Sequence, residues 1–309
     1  MLRMNKFITI TVISYNSSAT ISDTLNSILQ QTYNKKNIEV IISDDASKDN
    51  TLLIANDWKD KNKDIFNNIV IVSHSENKGV ASNCNQAWKL AKGEWIKTIA
   101  ADDMLLPNCI EENIKYVLNN SDTKIIFSDM IPFTSYGYEE PMKHDKKKIN
   151  CSHNQQKKNI LYQCYLLAPT AFINRKVLTD VGYADEAYPM IEDYPLWLRC
   201  LNNGYKFSYM EKNTVIYRQG DSLSQQNTKI GNIFYMQSLY SFQKEKIWPQ
   251  LPKWMIFKKW DDYILYKHKK FWIKNFGNEI TFFYRVSRKM VFLLRPYKMY
   301  LFVKKIIMK

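Results

Sequence analysis

The chain has 309 residues, of which 45% are apolar and 14% aromatic, enough to bury a large core. Its five scattered cysteines form no Cys-x-x-Cys pair, which argues against a disulfide framework or a structural zinc site and fits a reducing compartment. No uncharged apolar run reaches the roughly 18 residues of a spanning helix, and no signal peptide is visible.

The formal net charge of +14 is concentrated at one end of the chain. Residues 243–309 hold 17 Lys/Arg against 4 Asp/Glu, together with 16 aromatic residues, whereas residues 1–242 are nearly neutral. We therefore predict two separate parts, a nearly neutral domain and a basic, aromatic-rich helical extension. Their bounds, residues 1–225 and 226–309, follow from the family resemblance described below.

The first half of the chain alternates short apolar strands with amphipathic helices. Strands are predicted at residues 7–13, 38–42, 69–72, 95–99 and 124–127. Helices are predicted at residues 19–31, 49–59 and 80–92, and again from Pro107. This alternation is typical of a Rossmann-like α/β fold, a mostly parallel sheet with helices on both faces.

Beyond the fifth strand the periodicity fades. Residues 130–156 are predicted to form a long, mobile loop that helps to cover or select a substrate. A helix is predicted over residues 191–201, with Gly204 just past its end. In the basic extension, residues 253–270 and 281–305 have helical amphipathic spacing, and Pro296 interrupts the second segment.

Polar side chains follow three of the predicted strands. They are Ser14-Tyr15-Asn16 after the first, Asp44-Asp45 after the second and Asp102-Asp103 after the fourth. Parallel strands bind ligands outside their carboxyl ends, so these clusters predict a nucleotide site. Two adjacent carboxylates repel each other, and a divalent cation that also binds substrate phosphates is the usual remedy.

Other nucleotide-binding classes do not fit. A dinucleotide dehydrogenase needs a glycine-rich turn after the first strand, and the turn Ser14–Ser18 has no glycine. The same absence excludes a P-loop. A receiver domain is shorter and carries a lone aspartate after its third strand, where this chain has Ser73-His74.

Five blocks in order make residues 5–225 resemble the inverting family 2 glycosyltransferases, which have the GT-A fold. The blocks are Val12–Asn16 with Ser27–Tyr33, Glu39–Thr51, Asn77–Val80 with Asn85, Gly93–Ile96 leading to Asp102-Asp103, and Glu192–Trp197 with Gly204. Each block alone is degenerate, but the five in this order are highly specific. The resemblance is to family members of the bacterial polysaccharide type.

The resemblance implies a nucleotide-binding set of Ser14, Tyr15, Asn16, Asp45, Asn77, Lys78 and Asp102. Asp45 would accept a hydrogen bond from the uracil N3–H of a UDP-sugar, because a carboxylate is purely an acceptor. A capped turn before the next helix is the alternative role of Asp45. Tyr15 would lie against the nucleoside, or else be a partly buried core residue.

The resemblance also implies a metal ligand and a general base. Asp103 would bind the Mn²⁺ or Mg²⁺ that bridges the two phosphates. Asp193 would take the proton of the acceptor hydroxyl, with its pKa raised by Glu192 beside it. Both acids could instead merely cap the helix that they begin. Trp197 could be a core residue or could line the sugar site.

Two departures from the family pattern concern Ala46 and the end of the domain. Ala46 replaces a glycine, which is tolerable if the backbone there keeps a negative φ. The segment Tyr217–Ser224 lacks the histidine that relatives often carry as a further metal ligand, and Gln219 or Asp221 could replace it.

Three functions compete for the basic extension. Nucleic-acid binding fits its charge alone, and a helical oligomer interface fits its aromatic residues. Attachment to an anionic membrane surface fits both properties. We therefore predict a cytoplasmic protein that is peripheral on the inner face of the membrane and does not bind nucleic acid.

Taken together, the sequence predicts a metal-dependent, inverting glycosyltransferase. Its donor would be a nucleotide-sugar, in first place a UDP-sugar, and its acceptor a hydroxyl of a lipid-linked bacterial surface glycan such as O-antigen or capsule. The alternative is a non-catalytic nucleotide- or carbohydrate-binding module on the same fold.

Overall fold

The computed structural model describes residues 5–220 and 229–307. The chain divides into two compact units, Met1–Gln219 and Gly220–Lys309, called unit 1 and unit 2 below. The predicted domain boundary at residue 225 lies outside the described residues and stays a prediction.

Unit 1 is built on one sheet of nine strands. The strands are β1 (Ile8–Ser14), β2 (Ile38–Asp44), β3 (Asn68–Ser73), β4 (Trp95–Ala100), β5 (Met104–Leu105), β6 (Ile125–Thr134), β7 (Gly137–Tyr138), β8 (Phe172–Asn174) and β9 (Phe207–Arg218). The helices are α1 (Ile21–Leu29), α2 (Thr51–Asn62), α3 (Val80–Leu90), α4 (Cys109–Asn119), α5 (Lys146–Ile149), α6 (His153–Tyr162), α7 (Arg175–Val181) and α8 (Asp193–Asn202).

The strand order is β3-β2-β1-β4-β8-β6-β9-β5, and β7 pairs with β6. β1 pairs in parallel with β2 and β4, β2 with β3, and β6 with β9. The short β8 joins β4 to β6 in the antiparallel direction. The predicted α/β fold with a mostly parallel sheet and surrounding helices is therefore confirmed.

The core lies on both faces of this sheet. All seven residues of β2 are buried, as expected of a parallel strand that is covered on both sides. On α1 the residues Ile21, Leu25 and Ile28 recur at helical spacing and are fully buried. The carboxyl ends of β1, β2 and β4 consequently meet at one edge.

The prediction of a long mobile loop over residues 130–156 is wrong. β6 continues to Thr134, β7 turns back on it, and α5 and the beginning of α6 follow. β6 runs through Pro132 because β9 lies beside it in parallel, and the N–H of Gln219 donates to the carbonyl oxygen of Phe133 (2.8 Å). This pairing joins segments far apart in the chain, so local sequence did not reveal it.

The expectation of a negative φ at Ala46 is also wrong. Ala46 has φ +61°, in the left-handed region where its Cβ crowds the following carbonyl oxygen. The side chain is nearly buried at the turn that leaves β2. The chain therefore tolerates backbone strain beside the predicted nucleotide site.

Unit 2 contains the helices α9 (Ile233–Phe242), α10 (Ile256–Phe276), α11 (Phe282–Leu293) and α12 (Pro296–Ile307). The two predicted amphipathic segments are thus helical. Pro296 is the first residue of α12, a position at which proline is common because its missing N–H would have no partner within the helix. Within the described part of the chain, no helix has both the length and the apolar character needed to cross a bilayer.

Polar contacts between side chains and backbone join the helices of unit 2. On α10, Asp261 accepts a hydrogen bond from the N–H of Lys298 at the start of α12 (2.7 Å). The indole N–H of Trp260 donates to the carbonyl oxygen of Leu294 (3.0 Å). These contacts join α10 to the end of α11 and the start of α12, so the many aromatic side chains that remain exposed are carried on a defined scaffold.

We expect Ala46→Gly to raise the free energy of unfolding by up to about 1 kcal/mol, because glycine adopts left-handed backbone without a Cβ clash. Urea unfolding measures the change. Gly182→Ala is the matched control, since Gly182 has φ +77° and a Cβ there would meet nothing within 4 Å. It should lose about 1 kcal/mol through backbone strain alone. An Ala46→Gly variant that is less stable than the wild type would contradict the strain argument.

Candidate active site

The loop after β1 is joined to the loop after β2 by hydrogen bonds. The N–H of Asn16 donates to Ser47 Oγ (2.8 Å), and Asn16 Oδ1 accepts from the N–H of Lys48 (2.8 Å). Asn16 has φ +48°, which asparagine tolerates better than most residues. Tyr15 is 49% exposed beside it, so the alternative of a core tyrosine is wrong.

Asp45 is almost completely buried where β2 ends. Its two carboxylate oxygens accept the N–H groups of Lys78 and Gly79, each at 2.8 Å. Its own N–H donates to the carbonyl oxygen of Ser14 (2.9 Å). Ser14, Asp45 and Lys78 are thus brought together, with the exposed Asn77 next to them. Asp45 orders the loop before α3, and its contact with a nucleotide base stays a prediction.

Asp102 and Asp103 follow β4 and are held by Arg218 at the end of β9. The N–H of Arg218 donates to Asp103 Oδ1 (2.9 Å), and its Nε donates to the carbonyl oxygen of Asp102 (2.9 Å). The same guanidinium forms an ion pair with Asp23 on α1 (2.7 Å). Arg218 therefore fixes the aspartate loop between two elements, a role that the sequence pattern did not indicate.

Both aspartates of this loop have raised pKa values. Burial, and then the charge of Asp102, raise the pKa of Asp103 well above its ordinary value. The N–H and charge of Arg218 and the charge of Lys97 oppose this shift without cancelling it. Burial likewise raises the pKa of Asp102. Ionising both carboxyl groups is therefore costly, and a bound cation would offset that cost.

This donor set fits a hard divalent cation. Among the described residues, no group of three His, Cys, Asp or Glu side chains is arranged to hold a metal ion. Mg²⁺ and Mn²⁺ are commonly held by only one or two carboxylates, with phosphate oxygens and water as the other ligands. Asp102 and Asp103 meet that requirement. Asp221 lies outside the described residues.

Glu192 and Asp193 form a second acidic pair, at the beginning of α8. Glu192 is the N-cap residue, but its side chain makes no capping hydrogen bond, so its predicted alternative as a side-chain cap is wrong. Burial, and then the charge of Asp193, raise the pKa of Glu192 to about 8. Burial also raises the pKa of Asp193. Both side chains remain partly accessible.

The segment that leads to this second pair is tied to α3. The N–H of Ala81 donates to the carbonyl oxygen of Pro189 (3.1 Å). Gly79 has φ +88°, and a Cβ there would lie 2.5 Å from the same oxygen, so only glycine fits. Asn85 accepts from the N–H of Ala184 (2.8 Å) and donates to its carbonyl oxygen (3.1 Å). The sequence pattern contained Gly79 and Asn85 but did not indicate this role.

A cavity of about 130 Å³ is lined by residues of both acidic pairs. They are Asp103 from the first pair and both Glu192 and Asp193 from the second. Trp197 also lines the cavity and packs in the core against Phe127 at 5.0 Å between ring centres. Its alternative role at a sugar or acceptor site stays a prediction. The predicted nucleotide-binding residues, Asp102 included, lie outside the cavity lining.

Lys97 is a further residue that sequence reasoning missed. It lies on β4, is fully buried, and donates from Nζ to the carbonyl oxygens of Pro169 and Ala171. Burial lowers the pKa of its ammonium group. Lys97 therefore fixes a short turn, residues 168–171, that forms one wall of the cavity. A lysine inside an apolar strand was the available signal.

The sequence of this chain matches a known protein family. The model of glycosyl transferase family 2 matches residues 9–182, more than half of the chain. An Escherichia coli protein, "UDP-Glc:alpha-D-GlcNAc-diphosphoundecaprenol beta-1,3-glucosyltransferase WfaP", is 31% identical over 208 residues. That alignment covers 65% of this chain and 72% of the relative.

Two solved structures share the fold. TarS of S. aureus in complex with UDP-GlcNAc superposes with a TM-score of 0.59 at 18% identity, covering 87% of this chain and 74% of that one. A mannosyltransferase from Pyrobaculum calidifontis in complex with GDP-Man and Mn²⁺ gives a TM-score of 0.56 at 17% identity, covering 88% and 71%. At these identities the likeness shows the fold, which is that of the predicted GT-A class.

The raised pKa of Glu192 predicts a pH-dependent stability. In the folded protein Glu192 keeps its proton up to about pH 8, whereas the unfolded chain releases it near the ordinary glutamate pKa. The free energy of unfolding should therefore fall as the pH rises through this window, by at most roughly 1.4 kcal/mol per pH unit.

Glu192→Gln removes this titration. Urea unfolding of both proteins from pH 5 to pH 8.5 should show the variant gaining stability relative to the wild type as the pH rises. Because all other side chains are the same in both proteins, the difference between the curves isolates position 192. Parallel curves would show that the pKa of Glu192 is not raised.

Proposed function

The chain belongs to glycosyl transferase family 2 and is a glycosyltransferase, and on this premise we propose a specific reaction. It moves one sugar from a UDP-sugar to a hydroxyl of a lipid-linked surface glycan, with inversion at the anomeric carbon. The observation that carries the proposal is that Asp103 and Asp193 line the same cavity.

The donor nucleotide is assigned to the edge where β1, β2 and β4 end. Tyr15 offers an exposed ring to the nucleoside, between Ser14 and Asn16. Asp45 accepts the uracil N3–H: its oxygens already accept two backbone N–H groups, but an ionised carboxylate has about four acceptor positions. The S. aureus neighbour, crystallised with UDP-GlcNAc, supports a UDP-sugar as the donor.

The diphosphate is assigned to the aspartate pair. Asp103, with Asp102 beside it, would hold Mn²⁺ or Mg²⁺, which when bound supplies positive charge that stabilises the departing nucleotide. The raised pKa of both carboxyl groups supports this assignment, because a bound cation would remove the cost of ionising them. Arg218 keeps the pair in place by donating hydrogen bonds to the carbonyl oxygen of Asp102 and to the side chain of Asp103.

Asp193 is the proposed general base. As the acceptor oxygen forms its bond to the anomeric carbon, the bond from that carbon to the diphosphate oxygen breaks, and the hydroxyl proton passes to Asp193. Attack from the face opposite the nucleotide inverts the configuration. Glu192 retains its own proton near neutral pH, so one negative charge, not two, lies beside the acceptor.

The acceptor is assigned to the lipid-linked class for two reasons. The E. coli relative is named for a diphosphoundecaprenol-linked acceptor. In addition, unit 2 exposes large apolar side chains among many cationic residues, which fits attachment to an anionic cytoplasmic membrane surface. The most exposed are Phe282 (74%), Phe283 (72%), Trp254 (68%), Leu293 (68%) and Phe234 (67%).

Calorimetric titration with UDP tests the donor and metal assignments. With Mn²⁺ present, UDP should bind at least about tenfold more tightly than in EDTA, and Asp103→Asn should abolish that gain. Asparagine at position 103 can still accept the hydrogen bond from Arg218, so the loop should stay folded. Asp193→Asn is the matched control and should bind UDP like the wild type. Equal UDP binding with and without Mn²⁺ would contradict the metal site.

Binding to lipid vesicles tests the membrane assignment. The full chain should bind vesicles that contain anionic lipid, and added salt should weaken the binding. Replacing Phe282 and Phe283 by serine should weaken it at least about tenfold, because both rings lose their burial in the lipid interface. Serine at the exposed Tyr136 and Tyr138 of unit 1 is the matched control. Equal losses in the two double variants would contradict the assignment.

A further inference from the structure

The cavity between the acidic pairs extends into an apolar pocket. Beyond Asp103, Glu192 and Asp193, most of its walls are hydrocarbon or thiol. They include Val80, Cys84, Trp88, Ile96, Ile173 and Leu178. Water gains little in such surroundings because it finds few hydrogen-bond partners. The pocket therefore suits a small apolar group that enters together with a substrate.

Trp197 adds a polar feature to these apolar walls. Its side chain is 3% exposed, and its indole N–H has no hydrogen-bond acceptor among the described residues. Buried tryptophan N–H groups normally have an acceptor, because leaving a donor without one costs about 1–3 kcal/mol. A ligand that brings a carbonyl oxygen into the pocket would supply that acceptor.

Two carboxyl groups in the lining complete the pattern. Glu192 and Asp193 can accept hydrogen bonds, Trp197 can donate one, and most of the other lining residues are apolar. An acetamido group has the matching parts, which are one N–H donor, one carbonyl acceptor and one methyl group. A hydroxyl would lack a methyl group for the apolar walls, and a deoxy-sugar methyl would leave the indole N–H without an acceptor.

We propose that this pocket binds the acetamido group of the donor sugar, so that the natural donor is a UDP-linked 2-acetamido-2-deoxyhexose. This inference rests on the proposed function, which places the diphosphate at Asp103 and the base at Asp193. Carbon 2 is directly bonded to the anomeric carbon that reacts. A substituent on carbon 2 therefore lies next to the reaction centre, on which the two acidic pairs converge.

One wall of the pocket is formed by small side chains. Ala168 and Ala171 line it with single methyl groups. The turn that carries them is fixed from outside by Lys97, which binds the carbonyl oxygen of Ala171 (3.3 Å), and by Thr170, whose Oγ1 accepts from the N–H of Ser128 (3.2 Å). A larger side chain at position 171 would fill the space, because the turn is held on its other side.

Calorimetry with matched donors tests the inference, using the full chain and Mn²⁺. The wild type should bind UDP-GlcNAc at least about tenfold more tightly than UDP-Glc, and it should prefer UDP-GalNAc over UDP-Gal by a similar factor. The reason is that only the acetamido donors offer an acceptor to the indole N–H and place a methyl group against the apolar walls. Ala171→Leu and Trp197→Phe should each reduce both ratios to below about threefold, while the affinity for UDP itself stays within about twofold.

The controls separate the possible failures. Ala187→Leu changes an exposed alanine in the same way and should keep the wild-type ratios. Thermal melting confirms that each variant is folded, and the two variants act on different walls. Wild-type ratios near one, or ratios that neither variant changes, would overturn the inference while UDP binding leaves the proposed function intact. Failure of the wild type to bind UDP would overturn both.

Discussion

The constraint on which this structure depends is the free-energy cost of burying two pairs of adjacent carboxyl groups, Asp102 with Asp103 and Glu192 with Asp193. Burial and mutual repulsion raise the pKa of Asp103 and of Glu192, so neither pair is neutralised by the fold alone. Arg218 supplies a backbone N–H and a charge to the first pair, and Lys97 adds a buried charge behind it. We therefore propose a cation at the first pair and a proton at Glu192 of the second.

The two acidic pairs lie on different elements of the fold, and Asp103, Glu192 and Asp193 line the same cavity. β4 delivers the first pair, and α8 begins with the second, at the end of a segment that Gly79 and Asn85 attach to α3. The backbone N–H of Ala81 and the side-chain amide of Asn85 make these attachments, each to backbone groups of the segment before α8, so that segment is held at two points. Catalysis by displacement needs such fixed distances, because small errors in orientation cost large factors in rate.

The sequence was sufficient for the features that local patterns encode. The strands up to β4, the helices between them and the aspartates at their carboxyl ends follow from periodicity and from strand direction. It was insufficient where a distant partner decides the outcome. β6 passes Pro132 because β9 lies beside it, Ala46 adopts a left-handed conformation within a turn held by its neighbours, and Arg218 acts on residues far away in the chain. Individual side-chain roles at the nucleotide edge remain predictions.

Release of free nucleotide from a panel of UDP-, GDP- and dTDP-sugars in the presence of Mn²⁺ tests the central claim most directly. The account predicts that one class of UDP-sugar is consumed, and that Asp193→Asn slows its turnover at least about 100-fold although the variant still binds the nucleotide. Undiminished turnover in Asp193→Asn would contradict the account, because the acidic pair on α8 would then have no part in the reaction. Donor binding without any turnover, even with lipid-linked acceptors supplied, would contradict it as well.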